Sequence, residues 1–544
     1  MRKSLILLSL ALVLLTPPFI LSASENVRID AGLISGSVAQ DGIRSYKGIP
    51  FAAPPVGDLR WKPPQPVKSW DGVRKAEEYG PDCPQAPYAS GSLFYSPPRA
   101  QSEDCLYLNV WTGARSGEKR PVMVWIHGGA LTRGSGSTRT YDGAALAKKG
   151  VVLVTINYRL GPLGYLAHTE LTAESPNHSS GNYGILDQIA ALKWVQKNIA
   201  VFGGDSSRVT IFGESAGSWS VNALVASPLA RGLFHRAIGQ SGGSFGPATK
   251  LKEDQPARPS AEKVGEAFAK AAGADSIKAL RAVIAEKIIE TFTNNAEGRR
   301  FRTQPNVDGW VLPNEIRDIF ARGKQNDVPV ILGSNANEMT SLTTPAQVPK
   351  TIEEYRKRIE TQYRSDQNVI RQLDALYPVK TEADIADAYL GALRDTTFTL
   401  PMRTWARMTG TGRSKAWLYF FTHVPPNPNS KYLGAYHAGE IIYVFNNLRA
   451  RDAGYQESDY TLADMMSSYW VNFATSGDPN GKGLVKWVSY DKEKEPYIEF
   501  SASPQMRNHL LKEQLDLIER IQGQPRPAAA PAAEPRVTIP PMEK

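Results

Sequence analysis

The feature that most narrows what this chain can fold into is residues 209–218, VTIFGESAGS. A β-branched run stops at Gly213-Glu214-Ser215-Ala216-Gly217, and a helical pattern begins at once. That order of strand, tight turn and helix is the context a G-x-S-x-G motif needs to act as a nucleophile elbow. Glycines on both sides remove the side chains that would collide where the backbone bends most sharply, so Ser215 stands at the tip with Oγ over the sheet edge. The plain alternative is a glycine-rich turn with no chemistry.

The remaining pattern agrees with an α/β architecture. Strand-like runs occur at 106–111 (LYLNVW), 122–126 (VMVWI), 151–156 (VVLVTI), 328–332 (VPVIL) and 416–421 (AWLYFF), and 185–198 has apolar residues at helical spacing. Near-continuous Val and Ile runs fit strands covered on both faces. The expectation is an α/β-hydrolase fold: a mostly parallel central sheet with helices on both faces, and a helical cap or lobe from about 351–408. Helices are expected at 463–475 and 505–522. With 544 residues, 42% of them apolar and 22% charged, the chain can bury a large core, and a coiled coil, a collagen or a wholly disordered chain is excluded. A single catalytic domain is expected over 25–522. The Pro- and Ala-rich stretch 523–544 reads as a tail that cannot bury enough apolar area to fold alone.

A serine hydroxyl is a poor nucleophile at neutral pH. It needs a base, and the base needs an acid that holds its tautomer and stabilises the imidazolium. In this fold the chain order is Ser, then Asp or Glu, then His. Of seven histidines, only His235, His423, His437 and His509 follow Ser215. The acid is expected on a loop after a strand; Glu338 follows VPVIL, whereas Asp327 precedes that strand and Asp308 looks like a turn former. His437 lies between Gly434 and Gly439 in a loop that can present a ring, and His423, at the end of AWLYFF, competes with it. On spacing alone the acid and the base both stay open.

The third requirement is an oxyanion hole for the charge of the tetrahedral intermediate. A buried strand runs into His127-Gly128-Gly129-Ala130, whose small residues let backbone N–H groups approach an oxygen, as in the HGGG-type loops of lipases and esterases. The amide of Ala216, directly after the nucleophile, completes the hole. His127 precedes Ser215 and reads as a loop-stabilising residue.

Residues 1–24 read as a secretory signal: Arg2 and Lys3 precede an uncharged run from Leu5 to Leu15, and Ser22, Ala23 and Ser24 follow. The run is shorter than the roughly 20 apolar residues a bilayer needs, so no stable membrane insertion is expected after cleavage, and the protein is expected to be secreted or periplasmic. In an oxidising compartment the only two cysteines, Cys83 and Cys105, most simply pair, stabilising the fold by about 3 kcal/mol on the chain-entropy model. Two separate buried thiols are the alternative. The net charge of +9 is spread along the chain with no block of like charge, so no nucleic-acid partner is expected. The sequence calls for no cofactor or metal, and it assigns no oligomeric state.

These motifs resemble the type-B carboxylesterases, the group containing bacterial para-nitrobenzyl-type esterases, vertebrate carboxylesterases and cholinesterases. The resemblance runs from about Val27 to Phe500 through YKGIPFAAPP (46–55), SEDCLYLNVW (102–111), the glycine loop, FGESAG (212–217), HAGEIIYVF (437–445) and GDPN (477–480). It implies Ser215 as nucleophile, Glu338 as acid and His437 as base. It also implies oxyanion donors at Gly129, Ala130 and Ala216, a disulfide between Cys83 and Cys105, and supporting positions at Glu214 and Ser241. The implied activity is hydrolysis of small carboxylic esters through an acyl-enzyme. The scaffold also serves as an adhesion module in relatives that have lost the serine, a reading against which the intact Ser215, Glu338 and His437 argue; amidase or lactonase activity would share the triad. Cholinesterases place a tryptophan ten residues before the second cysteine to hold a quaternary ammonium. Here Tyr95 stands at that offset and the net charge is positive, which turns the expectation from choline esters to neutral or anionic ones. Trp219, on the helix after the elbow, is a candidate for the pocket wall or for core.

Overall fold

The computed structural model describes residues 22–23 and 26–523, apart from 116, 257, 295–300, 302–303, 364–365, 411 and 451–453. The expected signal therefore lies outside the described residues except for Ser22 and Ala23, and the expected tail lies outside them except for Gly523.

Among the described residues the main sheet has 12 strands. In chain order they are β1 (Ser22–Ala23), β2 (Ser37–Val38), β3 (Arg44–Pro50), β4 (Tyr107–Thr112), β5 (Arg120–Ile126), β6 (Val152–Ile156), β7 (Gly204–Glu214), β8 (Arg236–Gln240), β9 (Val330–Asn335), β10 (Ala416–Phe421), β11 (Pro496–Phe500) and β12 (Gln505–Asn508). Across the sheet the order is β1-β2-β3-β4-β6-β5-β7-β8-β9-β10-β11-β12. From β6 to β11 every neighbouring pair is parallel, and the pairs outside that block are antiparallel. A small second sheet joins Val27–Ile29, Gly32–Ser35 and Val73–Lys75. This is the α/β-hydrolase arrangement the motifs called for.

The central strands are apolar throughout because both faces are covered. Along β5, Val122, Val124 and Ile126 enter one core while Met123 and Trp125 enter the other. The first core receives Ile185, Ile189 and Leu192 from the helix Tyr183–Asn198 and Val221 and Leu224 from the helix Ala216–Ala226. The second receives Leu462, Met466, Tyr469 and Phe473 from the helix Glu457–Ser476. With two cores clamping it, the sheet is a rigid base for whatever its loops carry.

Helices Ile352–Gln362, Gln367–Leu376, Ile385–Arg394 and Leu400–Gly410, with a π-helical turn at Asp395–Thr399, follow β9. Tyr355, Ile359, Val369, Leu373 and Ile385 pack together there around a satellite core. One expectation is corrected. Residues 505–522 are not a continuous helix: β12 pairs antiparallel with β11, and the helix begins only at Lys512, running Lys512–Gly523. The free edge of β11 offers unpaired backbone groups, and satisfying them outweighs the weak helical spacing of the first four residues.

Register brings the functional loops to one place. Ile126 of β5 lies opposite Gly213 of β7, Glu214 opposite Gln240 of β8, Gln240 opposite Gly333 of β9, and Gly333 opposite Tyr419 of β10. The segments after β5, β7 and β9 therefore start from one edge, at the carboxyl ends of parallel strands, where open α/β sheets bind ligands.

Candidate active site

Ser215 caps the helix Ala216–Ala226 with φ 55 and ψ −120, a conformation that non-glycine residues rarely adopt. Its N–H donates to the Gln240 carbonyl at 2.8 Å, and its carbonyl accepts from Trp219 N–H at 2.9 Å. The motif glycines are sterically required: a Cβ on Gly217 would stand 2.0 Å from the Ile126 carbonyl oxygen, and one on Gly213 would meet both that oxygen and Gly217 at 2.6 Å. The elbow is thus pressed onto the end of β5.

The loop after β5 lies directly against it. A Cβ on Gly128 would come 3.2 Å from Ser215 Cβ and 2.7 Å from the Glu214 carbonyl oxygen. Gly129, Ala130 and Leu131 have φ of 102, 57 and 61, three consecutive residues in the left-handed region that turn the loop back on itself. Among the described residues the amides of Gly129 and Ala130 donate to no acceptor, and Ala216, in the first turn of its helix, has no intrahelical acceptor. His127 anchors the loop: its ring stacks on Tyr158 with centroids 4.4 Å apart, Nδ1 meets the Gly128 carbonyl at 2.8 Å, and Tyr158 Oη donates to the His127 carbonyl at 2.7 Å.

Glu338 and His437 come together from loops 99 residues apart. Glu338 Oε2 lies 2.5 Å from His437 Nδ1, while Glu338 Oε1 accepts from Asn335 N–H at 2.7 Å. Three side chains stitch the loops: Asn337 Oδ1 accepts from Ala435 N–H at 3.0 Å, Asn335 Nδ2 donates to the Tyr436 carbonyl at 2.9 Å, and Thr340 Oγ1 donates to the Leu433 carbonyl at 2.7 Å. The outer face of the imidazole is covered by Phe398, from the π-helical turn, with ring centroids 4.9 Å apart. π-Helical turns occur often at functional sites.

The other ring nitrogen, Nε2, faces Glu214 Oε1 at 3.1 Å. Glu214 is fully sequestered, and burial, reinforced by the Glu440 and Glu338 carboxylates against the pull of His437, pushes its carboxyl well above the usual range. Burial lowers His437, but Glu214, Glu338 and Glu440 more than offset it and raise the imidazole to about 9. The direction for His437 is therefore upward, set by the carboxyl groups that face it. In this resting arrangement Ser215 Oγ makes no hydrogen bond to the ring. Ser241 sits beside these groups at φ 53 with its N–H on the Gly333 carbonyl.

The competing acids and histidines are otherwise engaged. Asp308 accepts from Ser179 Oγ and from the amides of Trp310 and Leu312, the work of a turn former. Asp327 contacts Arg413 and the Ser414 amide. His423 pairs with Asp459 at 2.7 Å, His235 Nδ1 accepts from the Val209 amide before the core of β7, and His509 is exposed. Cys83 and Cys105 form a disulfide. Trp219 is half-buried, packed against the first core and Gly242. Among the described residues, no group of three or more His, Cys, Asp or Glu is arranged to hold a metal ion.

Sequence reasoning missed Asn335, Asn337, Thr340, Gln240, Phe398 and Glu440. Asn335 and Asn337 join the acid loop to the histidine loop. Gln240 holds the Ser215 amide with its backbone, while its side chain donates to Glu440 Oε1 at 3.0 Å and accepts from Trp470 Nε1 at 3.2 Å. Phe398 walls the ring. The only signal for the asparagines is their place between a Val/Ile strand and Glu338; for Phe398 there is none.

A profile described as the carboxylesterase family matches residues 23–518. The chain is 38% identical over 485 residues to the fumonisin B1 esterase of Sphingopyxis macrogoltabida, covering 86% of this chain and 84% of that protein. It is 36% identical over 481 residues to the para-nitrobenzyl esterase of Bacillus subtilis, covering 86% and 93%. Among solved structures, a carboxylesterase of Geobacillus stearothermophilus superposes with a TM-score of 0.78 at 34% identity, over 91% of this chain and all 100% of that one.

Proposed function

Because the chain belongs to the carboxylesterase family and is a carboxylic ester hydrolase, we propose that Ser215, His437 and Glu338 carry out its chemistry by two-step acyl transfer. His437, held in one tautomer by Glu338, takes the Ser215 proton as Oγ attacks the ester carbonyl. The negative charge that develops on the carbonyl oxygen is received by the amides of Gly129, Ala130 and Ala216; losing one such donor typically costs about 10²–10³ in rate. The protonated ring then gives its proton to the departing alcohol, and water activated by the same ring hydrolyses the acyl-enzyme.

The observation that carries this reading is the 2.5 Å contact between Glu338 Oε2 and His437 Nδ1, with the opposite nitrogen turned toward the residue preceding Ser215. Nε2 must exchange Glu214 for Oγ when substrate arrives. Since Glu214 and Ser215 are consecutive, that exchange is a local adjustment, and catalytic hydrogen bonds commonly tighten only in the Michaelis complex. Glu214 and Ser241 act here as positioning residues that tune the ring.

The substrate is a small carboxylic ester, as the names of the para-nitrobenzyl and fumonisin B1 esterases suggest by kinship. Export to an oxidising compartment is part of the reading, supported by the signal-like pattern of 1–24 and by the disulfide. Among the described residues, no helix is long and apolar enough to cross a membrane. The test is labelling by a fluorophosphonate probe together with hydrolysis of p-nitrophenyl butyrate. The parent enzyme is expected to label at Ser215 and to turn over the ester, and Ser215→Ala to do neither. Undiminished hydrolysis by that variant would overturn the assignment, and a parent enzyme that neither labels nor hydrolyses would favour the adhesion module.

A further inference from the structure

Among the described residues most of the arginines that are shielded from water have a carboxylate partner. Arg60 pairs with Glu103, Arg159 with Asp187, Arg394 with Asp395, and Arg403 and Arg407 share Glu495. Arg133, like Arg236, is an exception among the described residues. It is half-buried on the oxyanion loop, where its backbone N–H donates to the Gly129 carbonyl at 3.0 Å. Among the described residues its guanidinium has no acid partner; it lies over the ring of Tyr88, 5.0 Å from the centroid.

Tyr88 connects this cation to the reaction centre. Its hydroxyl lies 3.3 Å from where a Cβ on Gly129 would stand, while the neighbouring Gly128 abuts Ser215 on the other side of the same loop. Burial raises the Tyr88 hydroxyl's pKa, Arg133 opposes the rise, and the Glu214 carboxyl adds to it. The two loops are fastened to each other next to this pair: Gln85 Oε1 accepts from Gly134 N–H at 2.7 Å, Gln85 Nε2 donates to the Gly134 carbonyl at 2.9 Å, and Ser135 Oγ donates to Asp82 at 2.6 Å.

A guanidinium stacked on an aromatic ring uses its π face and keeps its in-plane N–H fork free, the geometry that receives a carboxylate through two parallel hydrogen bonds. We propose that Arg133, stacked on Tyr88, is an anion-binding position beside the oxyanion loop, and that the enzyme takes esters carrying a free carboxylate in addition to the ester being cleaved. The inference rests on the reading of Ser215 as nucleophile and deepens it by naming a substrate class.

The experiment compares kcat/KM for two matched pairs of esters. With the carboxylate on the acyl part, the mono-p-nitrophenyl ester of glutaric acid is set against p-nitrophenyl valerate; with it on the alcohol part, p-carboxyphenyl butyrate is set against phenyl butyrate. The parent enzyme is expected to favour the charged member of at least one pair. In Arg133→Gln that charged-to-neutral ratio is expected to fall by about 10–100-fold, the worth of a charge-assisted hydrogen bond, and Arg133→Lys is expected to fall in between. A drop confined to one pair supports the proposal and assigns the carboxylate to the acyl or the alcohol side. A ratio that stays within about twofold in both pairs overturns it, as does a parent enzyme with no preference. Arg133→Met, which keeps the packing of the stem on Tyr88, serves the same purpose should the glutamine variant fail to fold. Fluorophosphonate labelling of Ser215 separates the two readings: labelling with no effect at Arg133 defeats only this inference, whereas absence of labelling defeats the nucleophile itself.

Discussion

Two imidazole–carboxylate pairs stand at the same edge of the sheet, and only one of them faces a serine elbow. His437 meets Glu338 at 2.5 Å and His423 meets Asp459 at 2.7 Å, both rings in segments that follow β10. Their surroundings differ. Asp459 opens the helix Glu457–Ser476 and also accepts from Tyr443 Oη at 2.6 Å and from the Gln456 amide at 2.8 Å. Although burial opposes it, those donors hold the Asp459 carboxyl below its ordinary range. That carboxylate caps a helix, and the ring is one more donor to it. Among the described residues Glu338 receives one backbone amide besides its histidine, and the far side of His437 is turned to Glu214 and the elbow. An imidazole–carboxylate contact is therefore common structural hardware; what makes one a catalytic candidate is what its second nitrogen faces.

The largest effect that can break this contrast is removal of either ring. His437→Ala is expected to lower kcat/KM on p-nitrophenyl butyrate by about 10⁴-fold or more, in line with loss of the base from serine triads. His423→Ala is expected to stay within about threefold and instead to lose about 1–2 kcal/mol in urea unfolding, since it strips a donor from a buried carboxylate. Equal losses of activity would show that the two pairs had been wrongly separated. The acids come next. Glu338→Gln is expected to cost about 10³–10⁴ in kcat, because an amide in place of the carboxylate favours the wrong tautomer. Asp459→Asn is expected to lower the melting temperature while leaving kcat near that of the parent.

How much of this was readable before any coordinates follows from how local each signal is. The elbow and the oxyanion loop are contiguous, and the glycines at 213, 217 and 128 record collisions that the sequence itself exposes. The strands of the parallel block are likewise legible, because burial on both faces leaves unbroken apolar runs. Glu338 and His437 are different: spacing left Asp308, Asp327 and His423 in play, and the family resemblance was needed to choose. The side chains that join those loops, Asn335, Asn337 and Thr340, carry no pattern that a periodicity can reveal. Phe398 is hidden in an otherwise ordinary helical stretch and meets His437 from a π-helical turn that no pattern in the sequence marks. Residues 505–508 are illegible for the complementary reason, since a free sheet edge and not their own spacing decides their conformation.

A third buried histidine sharpens the comparison through charge alone. Among the described residues no carboxylate pairs with His127, and although its contact with the Gly128 carbonyl favours the proton, burial pulls it down to about 4. Below the unfolded-state value of about 6.5 the unfolded chain binds a proton that the folded chain refuses, so stability falls as pH drops from about 6.5 toward 4, by up to about 3 kcal/mol. His127→Gln has no such titration. Its urea-unfolding free energy is expected to decline less over that window than the parent's, and parallel declines would show that the ring is solvated in the fold.

The smallest expected effect tests the charge that separates His437 from His127. Burial acts on both rings, so the opposite shift of His437 must come from Glu214, Glu338 and Glu440. A base works only when neutral, so kcat/KM falls as pH drops through the ring's pKa, and every carboxylate that raises this value moves the acid limb of the profile to higher pH. Glu214→Gln replaces the carboxyl nearest Nε2 by a group of the same shape that cannot ionise, and so tests whether Glu214 carries charge beside the ring. The acid limb is expected to move to lower pH, with a moderate change in the plateau, because the substituted amide can still receive or donate a hydrogen bond beside the elbow. Replacing Asp459 by Asn should leave the limb where it was. If Glu214→Gln also leaves it unmoved, Glu214 is neutral throughout the working range, and the elevation of His437 rests on Glu338 and Glu440; a limb displaced to higher pH would contradict the electrostatic account of the site, since no removal of negative charge beside an imidazole can favour its proton.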